Sequence, residues 1–187
     1  MKRRALAWRP WLALCIGCLL GLAWPGGVAQ GLGLARVSAV KAAYLYKFGS
    51  FVEWPAGAFA GPHAPLVIGV YGDDAVASDL EQLTAGREVE GRPVSVLRVR
   101  DARDAFAVHI LFAGGPRFAR IRELIEAVRG PVLTVSDGPV GGNPGPVLYF
   151  TENEGRVRFS ASLAAAAAHG LRLSAKLLGV AQNVEGR

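Results

Sequence analysis

Asp73, Asp74 and Asp137 are the residues of this chain best placed for chemistry. Asp73 and Asp74 follow the apolar run Leu66-Val67-Ile68-Gly69-Val70-Tyr71, and Asp137 follows the run from Val132 to Val135. In α/β sheets, ligands gather outside the carboxyl ends of the strands. Carboxylates there could accept a phosphoryl group or line a small-solute pocket. A phosphotransfer site of that kind also needs a lysine near a late strand end, and the only lysine after Lys47 is Lys176, inside the last expected helix. The preferred reading is that Asp73 and Asp74 cap the helix starting at Ala75, because a short carboxylate accepts hydrogen bonds from first-turn amides.

Other chemistries find fewer groups. His63, His109 and His169 form no His-x-x-x-His or His-Glu pair, so their spacing offers no zinc site. His109 lies in an apolar strand, where a structural role is expected. His63 sits in a proline-flanked loop and should be solvated. His169 precedes Gly170 at a helix end, where a cation suits the helix dipole. There is no Gly-x-Ser-x-Gly elbow. The glycines at 138, 141, 142 and 145 are followed by no Gly-Lys-Ser/Thr and lead into a strand, so they read as a loop. Arg92, Arg98, Arg100 and Arg103 are interleaved with Asp101 and Asp104, which suits a solvated face.

The elements that would position these residues follow from periodicity. Apolar residues at 37, 40, 44, 48, 51 and 52 have helical spacing, and Pro55 closes that element. Buried strands are expected over 66–71, 108–112 and 132–135, with strand candidates at 87–89 and 94–99 around Gly91-Arg92-Pro93. Helices are expected over 75–83, along the stripe Phe118, Ile121, Leu124, Ile125 and Val128, over 163–168, and over 174–184 with Ser174 as N-cap. Residues 147–151 and 157–160 read as a hairpin. Alternating strands and helices imply a single α/β domain: a mixed, mostly parallel sheet flanked by helices, with a C-terminal hairpin and helix.

The first 29 residues have the order of a secretory signal peptide. Lys2, Arg3, Arg4 and Arg9 precede an uncharged run from Trp11 to Ala23, and Gly27-Val28-Ala29 offers small residues for cleavage near Ala29. Cleavage after Ala35 is an alternative. Residues 30–36 read as a flexible lead-in and 37–187 as the domain. Without the leader, 17 Lys+Arg face 15 Asp+Glu, a net charge of +2. No basic cluster remains as a nucleic-acid footprint. Both cysteines, Cys15 and Cys18, lie in the leader, so the exported domain has no thiol to ligate a metal or form a disulfide.

The most distinctive stretch is AAYLYKFGSFVEWP, residues 42–55. On a helical wheel, Tyr44, Phe48 and Phe51 share one broad apolar face with Trp54 at its edge, so these four are expected to be core, with Trp54 largely buried. Tyr46 and Glu53 fall on the polar side and are the expected partner-binding residues, since an exposed tyrosine is a frequent interface anchor. The element resembles the opening A-x-x-L-Y-x-F-x-x-F-x-x-W-P of the YfiR-like family of periplasmic proteins. The likeness continues in order through 66–74, Gly91-Arg92-Pro93-Val94, His109-Ile110-Leu111-Phe112, 132–137, Val157-Arg158-Phe159 and 174–178. Many members carry a cysteine pair where this chain has Gly69 and Val108, so a disulfide or redox role there is absent.

The resemblance implies a non-enzymatic regulator without cofactor or metal. Such a protein would bind, and repress, the sensor region of a membrane-anchored diguanylate cyclase, and so affect cyclic-di-GMP signalling and biofilm formation. An outer-membrane lipoprotein that sequesters it, and a homodimer, are further expectations. The competing reading is a periplasmic small-solute-binding module with its pocket at Asp73, Asp74 and Asp137. A minor hydrolase using those aspartates is a third.

Overall fold

The computed structural model describes residues 26–142 and 145–186, so most of the expected signal peptide lies outside the described residues. The chain opens with helix α1 (Gly26–Phe48) and a short strand β1 (Val52–Glu53). Then come β2 (Leu66–Tyr71), α2 (Asp74–Thr84), β3 (Glu88–Val89), β4 (Arg92–Arg98), a 3-10 turn at Asp104–Ala107, β5 (Ile110–Ala113), α3 (Phe118–Ala127) and β6 (Leu133–Asp137). The C-terminal part holds β7 (Leu148–Asn153), β8 (Arg156–Ser162), α4 (Leu163–Ala168), β9 (Arg172–Leu173), α5 (Ala175–Val180) and β10 (Asn183–Glu185).

Eight strands form the main sheet in the order β10-β8-β7-β6-β5-β2-β4-β3, and β1 pairs with β9 in a separate small sheet. Within the main sheet only β7–β8 and β3–β4 are antiparallel. The chain starts at β2, steps outward to β4, then crosses β2 to β5 and continues to β6 and β7. This reversal makes the C-terminal ends of β2 and β5 the topological switch point, where doubly wound sheets commonly hold ligands. Both faces are covered. Apolar residues of α1, α2, α4 and α5 share one core cluster, and those of α3 share the other with Tyr71, Val99, Val108 and Leu111. The central strands β2, β5 and β6 are therefore buried on both sides, as in parallel sheets generally.

Three expectations about elements need correction. The backbone of residues 30–36 is helical rather than an irregular lead-in, because α1 begins at Gly26. That helix also ends at Phe48, six residues before Trp54. The Gly49-Ser50 turn breaks it, and Phe51 to Trp54 lie outside it. At the other end, α5 stops at Val180, and Asn183–Glu185 become a strand because β8 offers a parallel edge with Ser160, Ala161 and Ser162 in register.

Where helix starts were legible, the cap explains them. Asp73 accepts the Val76 amide at 3.0 Å. Ser174 accepts the Leu177 amide at 3.2 Å. Each side chain satisfies one of the amides that a first helical turn leaves unpaired.

Candidate functional site

The three aspartates occupy strand ends as expected, but each takes a different partner. Asp73 is the α2 cap. Asp74, 96% exposed, pairs with Arg98 at 2.8 Å. Arg98 also meets Glu81 and Ser78 of α2, and the hydrogen bond with the Glu81 carboxylate raises its pKa. Asp137 is held by Lys41 of α1, with Nζ 2.8 Å from Oδ1 and 2.9 Å from Oδ2. The Lys41 side chain is only 8% exposed. A buried ammonium needs such a partner, since an unpaired buried charge is costly. Lys41 was missed because it sits among apolar neighbours at core spacing. A lone lysine on that face was the available signal.

At the switch point two loops meet through their backbone. Gly72 has φ +77°, and a methyl added there would overlap the Gly114 carbonyl oxygen. A methyl on Gly115 would sit 2.7 Å from the Gly72 carbonyl oxygen. The two loops after β2 and β5 thus pack chain against chain. No group of three or more His, Cys, Asp or Glu that could hold a metal occurs among the described residues.

At the opposite end of the sheet, separate sequence stretches converge. His109 Nδ1 accepts the Val67 amide at 3.1 Å, and the His109 amide donates to the Val67 carbonyl at 2.9 Å. The imidazole stacks on Phe59 at 4.3 Å between centroids, with Trp54 edge-on at 6.1 Å. The Arg92 guanidinium lies 3.9 Å from the Phe59 centroid, leaving that ring between a histidine and a cation. Arg92 Nη1 also donates to the carbonyls of Gly61 and Ala64. These contacts clasp the 54–65 segment onto the sheet. The structural role expected of His109 fits this geometry; Phe59 as its partner was not foreseen.

Trp54 is half-buried at this rim rather than deep in the core, because the helix ends before it. Phe51 is likewise half-buried, under Lys176. Tyr44 is also half-buried, and its ring meets Phe48, Phe150 and Phe159 at 5.6–5.9 Å. Phe48 is the centre of the aromatic core. His63 is exposed as expected. His169 is instead buried, with Nδ1 2.9 Å from the Gly130 carbonyl oxygen and Nε2 without a partner.

Burial lowers the His109 pKa from its ordinary 6.5, a hydrogen bond with the Ala58 backbone opposes that, and the nearby Arg92 charge lowers it further. The unfolded chain therefore takes up this proton at higher pH than the folded one. The stability from neutral His109 is complete above 6.5 and is lost as pH falls below it. His109→Asn keeps an acceptor near the Val67 amide but does not titrate. Between about pH 7 and about pH 5 its melting temperature should fall less than that of the wild type. Equal falls would show that His109 is not the titrating group.

Tyr46 and Glu53, expected on one helix face, are on different elements. The Tyr46 hydroxyl donates to the Glu88 carbonyl of β3 at 3.0 Å, and the ring is half-buried. Glu53 is exposed on β1, 3.4 Å from Arg172 across the small sheet.

The fold is thus a doubly wound α/β domain whose three strand-end aspartates are engaged separately, by the Val76 amide, Arg98 and Lys41. The chain belongs to the YfiR/HmsC-like family, whose model matches residues 38–182. No curated protein matches the chain.

Gly69 and Val108, the positions where the resemblance sets a cysteine pair in other members, are in contact. A Cβ on Gly69 would lie 3.4 Å from the Val108 Cβ and 2.8 Å from methyls of Val108 and Val99. Glycine opposite valine therefore fills the space with no crosslink. That Cβ separation approaches the range of a disulfide, about 3.5–4.5 Å. The double variant Gly69→Cys/Val108→Cys should crosslink on oxidation and gain about 2–4 kcal/mol. Melting with and without reductant checks this. Equal midpoints would show that the strands are not in this register.

Proposed function

We propose that this protein is a periplasmic regulator that binds the sensor region of a membrane-anchored diguanylate cyclase and represses it. The observation that carries the reading is membership of the YfiR/HmsC-like family over residues 38–182. The separate engagement of the strand-end aspartates, by the Val76 amide, Arg98 and Lys41, supports it over a shared solute site. No helix among the described residues is long and apolar enough to cross a membrane. Nothing in the described residues speaks for an outer-membrane lipoprotein or a homodimer.

Glu53 and Tyr46 remain the proposed contact residues. Glu53 is the cleaner probe, since removing Tyr46 would also release Glu88 of β3. Deleting the gene should raise cyclic-di-GMP and surface attachment, and a plasmid copy should reverse both. Unchanged cyclic-di-GMP in the deletion strain, with tight binding of a small solute by the pure protein, would favour the solute-binding reading instead.

A further inference from the structure

We propose that the cleft between the loop before β7 and the open face of β7, β8 and β10 binds a small organic cation, a role separate from holding a cyclase. The Glu185 carboxylate is the counter-ion and the Tyr149 ring the floor.

Strand alternation builds the site. Leu148, Phe150, Phe159 and Ala161 of β7 and β8 belong to the larger core cluster. Successive strand residues face opposite sides of a sheet. Tyr149 is in register with Ser160, and Ser162 with Glu185, so Tyr149, Ser162 and Glu185 share the other face. The core cluster of α3 takes no residue from these three strands, so that face lies outside both cores. Loop residues 139–142 and 145–146 stand beside it as a wall, and the cleft they bound measures about 450 Å³. That is within the roughly 300–1,000 Å³ of small-molecule sites. Glu185 is exposed and Tyr149 half-buried, so the pair is accessible from solvent.

The lining selects the sign of the charge. Glu185 is the only ionised side chain among the described residues that line the cleft. Its Oε1 accepts the Tyr149 hydroxyl at 3.1 Å, and it enters no ion pair among the described residues. One oxygen of the carboxylate is therefore held in place and the other is left for a ligand. Ser162 is already engaged as the α4 cap, accepting the Ala165 amide at 3.2 Å. Pro139 and Pro146 of the wall have no N–H to offer an anion. A Cβ on Gly145 would lie 3.5 Å from the Val140 carbonyl oxygen and 3.8 Å from that of Gly142, so the wall there carries two further acceptors. A carboxylate and carbonyls beside an aromatic ring suit an ammonium or guanidinium, which brings only donors. The alanines of α4 that complete the lining give an apolar body its contact.

The test titrates the mature protein with phenethylamine and follows its amide NMR signals. Phenylacetate and phenethyl alcohol serve as anionic and neutral probes of like size. Phenethylamine should shift the signals of Gly141, Tyr149, Ser162 and Glu185. The alcohol should bind about tenfold more weakly, because it lacks the charge-assisted contact, and phenylacetate should leave those signals unmoved. Glu185→Gln keeps an acceptor for the Tyr149 hydroxyl and should melt like the wild type. It should weaken phenethylamine about tenfold or more. Tyr149→Phe keeps the ring but releases the carboxylate, and should weaken the amine several-fold. The wild-type comparison of the three probes stands even if a variant fails to fold. Absence of shifts at those four residues, equal shifts with phenylacetate, or undiminished binding by a folded Glu185→Gln would overturn the proposal. The titration contains no cyclase, so its failure is separable from failure to capture one.

Discussion

Gly72→Ala should leave little folded protein. Gly72 sits at φ +77°, a conformation that costs an L-residue about 1–3 kcal/mol. The added methyl would also overlap the Gly114 carbonyl oxygen, which belongs to a backbone fixed by the ends of β2 and β5 and cannot swing aside as a side chain could. The combined loss should exceed about 4 kcal/mol, a large part of the roughly 5–15 kcal/mol that holds a domain together. Gly57→Ala is the control. Gly57 has φ +84°, yet nothing lies within 4 Å of an added Cβ, so only the conformational cost applies. That variant should melt a few degrees low. If Gly72→Ala instead melts like Gly57→Ala, the two loops are not packed against each other.

Phe48→Ala should be the most damaging change in the aromatic core, at about 3–5 kcal/mol. Phe48 is 1% exposed, stacks on Tyr44 and Phe150 at 5.8 and 6.0 Å, and meets Phe159 edge-on at 5.1 Å. Its removal leaves a cavity between helix and sheet. The melting temperature should drop by roughly 6–20 °C for a domain of this size. Trp54→Ala should cost clearly less, because Trp54 is half-buried at the rim and water can replace part of what is lost. A Trp54→Ala loss equal to that of Phe48→Ala would place Trp54 in the core, as its sequence spacing suggested.

That contrast shows what the sequence could and could not disclose. The run Leu66–Tyr71, the caps at Asp73 and Ser174 and the helix Leu163–Ala168 were legible because local chemistry alone specifies them. The end of α1 was not. Phe51 and Val52 keep helical spacing, but a Cβ on Gly49 would come 2.6 Å from Leu66 Cδ2, so the chain turns there to pass the sheet. The strand Asn183–Glu185 exists only because β8 has a free side, which no local signal encodes. Asp73, Asp74 and Asp137 were correctly placed at strand ends. Their separate commitments, and the Gly72–Gly114 contact, depend on elements far apart in sequence. The clasp of Trp54, Phe59, Arg92 and His109 was half visible. Three of its members lie in the quoted motifs, and Phe59 lies between them in a loop without pattern.

The central claim is that this domain works by holding a membrane-anchored diguanylate cyclase. The most direct test is affinity purification of the tagged mature protein from detergent-solubilised membranes of its own host, with the bound proteins identified by mass spectrometry. The account predicts enrichment of a diguanylate cyclase with a periplasmic region over the tag-only control, diminished by Glu53→Arg at equal protein level. Recovery of the protein with no cyclase enriched, under conditions that retain known membrane complexes, would contradict it.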